Sequence, residues 1–115
     1  MVVQGVARDK WGVGYSGIGY LTADVRAVPL ASEEGEDFIN AEPENAFNGL
    51  YPLSRYLYVY INYKPGSELD PLRREFIKYI FAREGQQDVV KDGYLPVKLQ
   101  TALDALGSVG ITTGQ

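Results

Sequence analysis

The chain contains neither cysteine nor histidine, has one tryptophan and one methionine, and carries fewer basic than acidic side chains, 11 Lys+Arg against 15 Asp+Glu. Each shortage closes a class of function. Without thiol or imidazole there is no Ser-His or Cys-His nucleophile, no zinc finger, no haem or iron–sulfur ligation and no disulfide framework. What remains is the chemistry of carboxylates, hydroxyls, phenols and backbone groups. A formal charge of −4 lacks the basic footprint that supplies most of the affinity for a phosphodiester backbone, so no nucleic-acid partner is expected. No apolar run approaches the roughly 20 residues of a membrane-spanning helix. The N-terminal stretch has no basic region followed by an unbroken apolar one, so no signal peptide is expected in this chain. No catalytic motif is present, and the chain is read as a non-enzyme without cofactor or metal.

At 115 residues the chain has room for one core. Val2, Val3, Val6 and Ala7 space like the last turns of an amphipathic helix, which points to a fragment of something longer. Gly12 and Gly14 break that pattern before an aromatic, Gly-rich stretch from Val13 to Leu21 that reads as a strand, the glycines suiting close backbone approach. Val25–Ala31 reads as a short second strand, at an edge or an end because Pro29 cannot donate to a ladder. Ser32 to Glu44 is acidic loop, and Pro43 opens a helical turn that Asn48-Gly49 stops.

Arg55-Tyr-Leu-Tyr-Val-Tyr-Ile-Asn62 has the clearest period of two, with Leu57, Val59 and Ile61 on one face and Tyr56, Tyr58 and Tyr60 on the other. Two such faces predict a strand inside a sheet. After the turn at Lys64-Pro-Gly66, Asp70 and Pro71 form a helix start, an acceptor for the free N–H groups followed by a residue that wastes no donor. Leu72, Phe76, Tyr79, Ile80 and Arg83 then make the expected buried stripe, with Gly85 as a left-handed cap. A short helix over Gln86–Lys91 ending at Gly93, an extended Tyr94–Val97, a last turn or two over Leu99–Leu106 and a frayed tail complete the pattern.

Three constellations invite a functional reading. Gly12-x-Gly14-x-x-Gly17 matches the dinucleotide fingerprint, but that loop needs a strand before it and a helix N-terminus after it to receive the pyrophosphate. Here a helix precedes and a strand is expected to follow, so close packing explains the glycines better. Ser32-Glu-Glu-Gly-Glu-Asp37 offers oxygens, but not at the spacing of a calcium loop, and reads as solvated surface. Tyr15, Tyr20, Tyr51, Tyr56, Tyr58, Tyr60 and Tyr63 are a candidate stacking platform, though a tyrosine stripe opposite an aliphatic one is expected to be core.

Taken in order, three stretches resemble one family. They are Gly12-Val-Gly-Tyr-Ser-Gly-Ile-Gly-Tyr20 with Val25-Arg-Ala-Val-Pro-Leu30; Tyr51-Pro-Leu-Ser-Arg-Tyr-Leu-Tyr-Val-Tyr60 with Lys64-Pro-Gly66; and Arg74-Glu-Phe-Ile-Lys-Tyr79 with Arg83-Glu-Gly-Gln86, Val89-Val90 and Gly93-Tyr-Leu-Pro96. The set is similar to the C-terminal part of the phosphate-binding protein of bacterial phosphate ABC transporters, within the type II periplasmic binding proteins. The resemblance implies an α/β fold, the C-terminal portion of a two-lobed protein with a mixed sheet flanked by helices. Within it, 1–31 is the end of one lobe, 32–50 an acidic loop, 51–63 a crossing or hinge strand, 64–97 the C-terminal helices of the other lobe and 98–115 a tail. It implies inorganic phosphate as ligand and an ABC transporter permease as partner of the complete protein, in a periplasmic or extracytoplasmic location, with or without a lipid anchor. The family's phosphate contacts lie upstream and include a Ser-Gly-Thr stretch; here Ser16-Gly17 is followed by Ile18, so no ligand-binding residue is assigned in this chain. The isolated chain is expected to bind phosphate poorly and to form a homo-oligomer or strand-exchanged dimer through its unpaired edges. The alternative is a stand-alone interaction or assembly module using the tyrosine-rich strand.

Overall fold

The computed structural model describes residues 1–113. Five α-helices occur in chain order: α1 (Val2–Arg8), α2 (Pro43–Phe47), α3 (Pro71–Phe81), α4 (Arg83–Lys91) and α5 (Leu99–Ser108), with a single 3₁₀ turn at Ile18–Tyr20. About 40% of the chain is helical and no strand forms among the described residues, so the expected mixed sheet flanked by helices is absent. The reason is the range of the hydrogen bonds. A helix closes its bonds within one segment, whereas a ladder needs a second strand alongside. The stretches 13–21, 25–31 and 55–62 have strand-like patterns, but the described residues supply no ladder for them. Their one trace of pairing is an antiparallel bridge between Leu30 and Ile39.

The chain divides into two units, Met1–Tyr58 and the stretch from Val59 onward. In the first, no residue is buried. Gly14 returns close to α1: a Cβ there would lie 2.7 Å from Val2 Cγ1 and 3.1 Å from Val6 Cγ2, so the glycine is a close-approach residue. Pro43 opens α2 and Asn48 caps it, with Gly49 next at φ +68° as the left-handed exit. Tyr51 donates its hydroxyl to the Val28 carbonyl at 3.0 Å and Asn45 its amide to the Asn40 carbonyl at 2.9 Å. These polar ties hold the loops without an apolar centre.

The second unit has the core. Ile77 of α3 and Leu106 of α5 pack with Ile111, and Ile61, Leu69, Phe81 and Val109 close around them. Asp70 caps α3 as its sequence predicts, its carboxylate accepting from the Arg73 N–H at 3.1 Å, with Pro71 in the first turn. The buried face of α3 is not the expected stripe. Ile77 points inward, while Leu72 is 81% and Phe76 58% exposed. Nor is the C-terminal tail frayed throughout: α5 runs to Ser108, and Ile111 is a core residue. The end of that tail, Gly114 and Gln115, lies outside the described residues.

Gly85 differs most from its sequence reading. It is buried in the first turn of α4 rather than capping α3, because the break between the helices falls at extended Ala82 (φ −72°, ψ 162°). A Cβ at Gly85 would lie 2.0 Å from the Tyr79 carbonyl oxygen, so only glycine lets α4 start so near the end of α3. Gln86 fastens the same corner, donating to the Ile80 carbonyl at 2.7 Å and accepting from the Val97 N–H at 2.9 Å. Replacing a helical glycine by alanine gains up to about 1 kcal/mol in propensity, but the clash is with backbone and cannot rotate away, and overpacking costs about 1–3 kcal/mol. Gly85→Ala is therefore expected to destabilise by about 1–2 kcal/mol. Gly107→Ala on α5, where a Cβ meets nothing within 4 Å, is expected to stabilise slightly. Urea midpoints followed by helical circular dichroism check the pair, and equal shifts would contradict the packing explanation.

Candidate functional site

The segment Arg55–Asn62 forms neither helix nor strand, and side chains of both its aliphatic and its tyrosine sets are exposed, Ile61 alone of the two sets packing against the core. Leu57 is 62%, Val59 60% and Tyr60 92% exposed. Tyr56 and Tyr58 meet only edge to face, ring centroids 6.4 Å apart. The tyrosine stripe is thus surface, not the core it was expected to be. Tyr15 also stands exposed, while Tyr51 is half-buried and tied to Val28. The chain's accessible surface, 9593 Å², exceeds even the roughly 7,500 Å² that two independent compact bodies of half its mass would expose together. Leu57, Val59, Leu72 and Phe76 are among the large apolar side chains that contribute to this surface.

Within the second unit, the end of that segment and the first turns of α3 border an open groove of about 300 Å³, lined by Val59, Tyr60, Ile61, Asn62, Arg73, Phe76 and Ile77. Its cation is engaged: Arg73 Nε lies 3.1 Å from Asp70 Oδ2. What the groove offers is therefore mainly apolar. Periodicity identified the segment but not the groove, because Phe76 and Arg73 reach it only through the placement of α3.

The glycine motif does not form a phosphate loop. Asp9 ends α1, its carboxylate accepting from the Trp11 N–H at 3.0 Å and its carbonyl from the Gly12 N–H at 2.9 Å. Gly17 leads into one 3₁₀ turn rather than a helix whose dipole would attract an anion. The N-termini of α3 and α4 are likewise occupied by negative charge, Asp70 capping α3 and Glu84 in the first turn of α4. The acidic stretch Glu33–Asp37 is exposed, and no group of three or more carboxylates placed to hold a metal occurs among the described residues.

One cluster of titratable groups interacts strongly, and no sequence signal announced it, since Tyr79 and Asp88 stand nine residues apart across the break at Ala82. Tyr79 donates its hydroxyl to Asp88 in a short hydrogen bond, and Lys91 Nζ donates to Asp88 Oδ1 at 3.1 Å. The bond to Asp88 and that residue's negative charge hold the Tyr79 phenol above its usual range. The same bond, with Lys91 beside it, holds the Asp88 carboxyl below the usual carboxylate range. All three side chains are exposed, so this cluster ties α3 to α4 rather than poising an acid or base.

Comparison with known proteins supplies what geometry alone does not. No protein-family profile matches the chain. It is 50% identical over 110 residues to the phosphate-binding protein PstS of Pseudomonas aeruginosa, an alignment covering 96% of this chain and 34% of that protein. It is 31% identical over 105 residues to the phosphate-binding protein PstS 2 of Streptococcus agalactiae, covering 91% of this chain and 33% of that one. It is 28% identical over 118 residues to protein SphX of Synechocystis, with all of this chain and 34% of that protein covered. The chain spans about a third of the length of these relatives.

The Tyr79–Asp88 bond sets a pH dependence with two limbs. The raised phenol contributes stability that is present below the unfolded tyrosine value near 10 and lost as pH rises through the folded value. The lowered carboxyl contributes stability present above the unfolded value near 4 and lost as pH falls through the folded one. Tyr79→Phe is expected to flatten the alkaline limb and reduce the acid one, read as denaturation midpoints against pH. An unchanged alkaline limb would contradict the assignment.

Proposed function

We propose, from the premise that this chain belongs to the PstS phosphate-binding proteins and forms a C-terminal part of one, that it serves in the solute-binding protein of a phosphate ABC transporter. The complete protein captures inorganic phosphate for import and delivers it to the transporter's permease on the outer side of the cytoplasmic membrane, in the periplasm or held there by a lipid anchor. The observation that carries this reading is 50% identity sustained over 96% of the chain to a protein named for binding phosphate. Capture is by hydrogen bonds and dipoles, without catalysis or cofactor. In this arrangement 1–31 ends one lobe, 51–63 crosses between lobes and 64–97 contributes helices to the other.

The electrostatics support a division of labour along the chain. Phosphate capture needs several donors converging on one point, commonly at helix N-termini. Asp70 and Glu84 put carboxylates where α3 and α4 would offer theirs, and in the proposed reading the phosphate donors belong to the remaining two thirds of the protein, as the family resemblance implies. Alone, this chain binds phosphate poorly and self-associates through its uncovered segment. The second reading, an interaction module that stands by itself, is favoured by the exposure of Tyr56, Tyr58 and Tyr60.

A chimera separates the two. This chain replaces the matched third of the Pseudomonas aeruginosa protein, and phosphate is titrated calorimetrically into the purified chimera and into the isolated chain. Micromolar binding by the chimera, with at least about a hundredfold weaker binding by the isolated chain, a gap near 2.7 kcal/mol, is the expected result. A folded chimera that binds no phosphate contradicts the reading.

A further inference from the structure

The groove of the second unit is open and lined mainly by apolar side chains. Val59 and Phe76, both lining it, are 60% and 58% exposed, and Leu72, one turn before Phe76 on α3, is 81% exposed. Ile77, also in its lining, is fixed by Leu106 and Ile111, so the groove is carried by a core that the chain supplies itself. Its one cation is already paired with Asp70. An occupant with a carboxylate for Arg73 would therefore displace an existing ion pair, and an apolar stretch of chain fits better.

We infer that this 115-residue chain, as a separate polypeptide, docks through the Val59–Phe76 groove onto the complementary two thirds of a PstS-type protein, which seats an apolar segment there and restores phosphate binding without a covalent link. The inference rests on the function proposed above. Relatives three times as long, aligned over nearly all of this chain, supply polypeptide to cover the groove. A second copy is the weaker occupant, because each copy brings a net charge of −4 and like charges repel. Phe76 is the expected anchor, since buried aromatic side chains dominate interface energetics.

The test mixes the full 115-residue chain with the residues of the Pseudomonas aeruginosa protein that lie outside the matched third, expressed separately. Sedimentation velocity reads assembly and calorimetry reads phosphate binding. The expected result is a one-to-one complex that binds phosphate and grows at the expense of any self-association. Phe76→Asp is expected to weaken the complex by at least about tenfold, while Leu99→Asp, on exposed α5 surface away from the groove, leaves it within about twofold. Circular dichroism of each variant shows whether α3 to α5 remain folded; if Phe76→Asp unfolds them, Val59→Asp is read in its place with the same expectation. A chimera that binds phosphate while the separate pieces form no complex overturns this inference and leaves the proposed function standing. A complex indifferent to the folded groove variant, or self-association that persists unchanged in excess complement, also overturns it.

Discussion

Ile77 meeting Leu106 and Ile111 is the contact on which the organised part of the molecule depends. α3, α5 and the chain beyond them are joined by it, and α4 is held to α3 at a corner where Gly85 leaves no room for a side chain and Gln86 satisfies backbone groups on both sides. Burial of a few such side chains stabilises by about 1.5–3 kcal/mol each, enough to organise the helices around them and too little to organise 115 residues. The first unit, with no buried residue, has no such contact. Its order comes from caps, turns and a few side-chain-to-backbone bonds, each contributing about 0.5–1.5 kcal/mol after exchange with water.

This division explains which features were legible in the sequence. Asp70-Pro71 as a helix start, Pro43 with Asn48-Gly49 around α2 and Gly93 after α4 are local instructions, and each took the form it spelled. The strands were not realised because the pattern of 55–62 states only which faces want covering, while a ladder needs a second strand that the described residues do not supply. Gly85 was misjudged for a related reason: glycine after an apolar helix suggests a cap, and only the position of the Tyr79 carbonyl shows a steric role. The stripe Leu72–Phe76 was equally ambiguous. One helix face carries Ile77 and another carries Phe76, and nothing in the spacing says which neighbour the chain itself supplies.

The family likeness was legible by another route. Composition excluded thiol and imidazole chemistry and argued against a nucleic-acid partner, but it is the order of the motifs, from Gly12 through Tyr60 to Pro96, that resembles phosphate-binding proteins, and the identity to PstS proteins agrees with it. No anion site was legible, and none is built at the N-termini of α3 and α4, where Asp70 and Glu84 already place negative charge. Absent histidine and cysteine fit a ligand held by hydroxyls and amides under the proposed function. The exposed faces of 55–62 and the groove beside Phe76 are then the parts of this chain that meet the rest of such a protein.

A self-contained core for α3 to α5, preceded by an uncovered apolar segment, is a division that hydrogen exchange can read amide by amide. The isolated chain is exchanged at concentrations low enough to keep it monomeric. Slowed exchange confined to amides within 71–111, where Ile111 donates its N–H to the Leu106 carbonyl, with those of 55–60 exchanging near the unfolded rate, is the expected outcome; protection of 55–60 equal to that of α3 would contradict it.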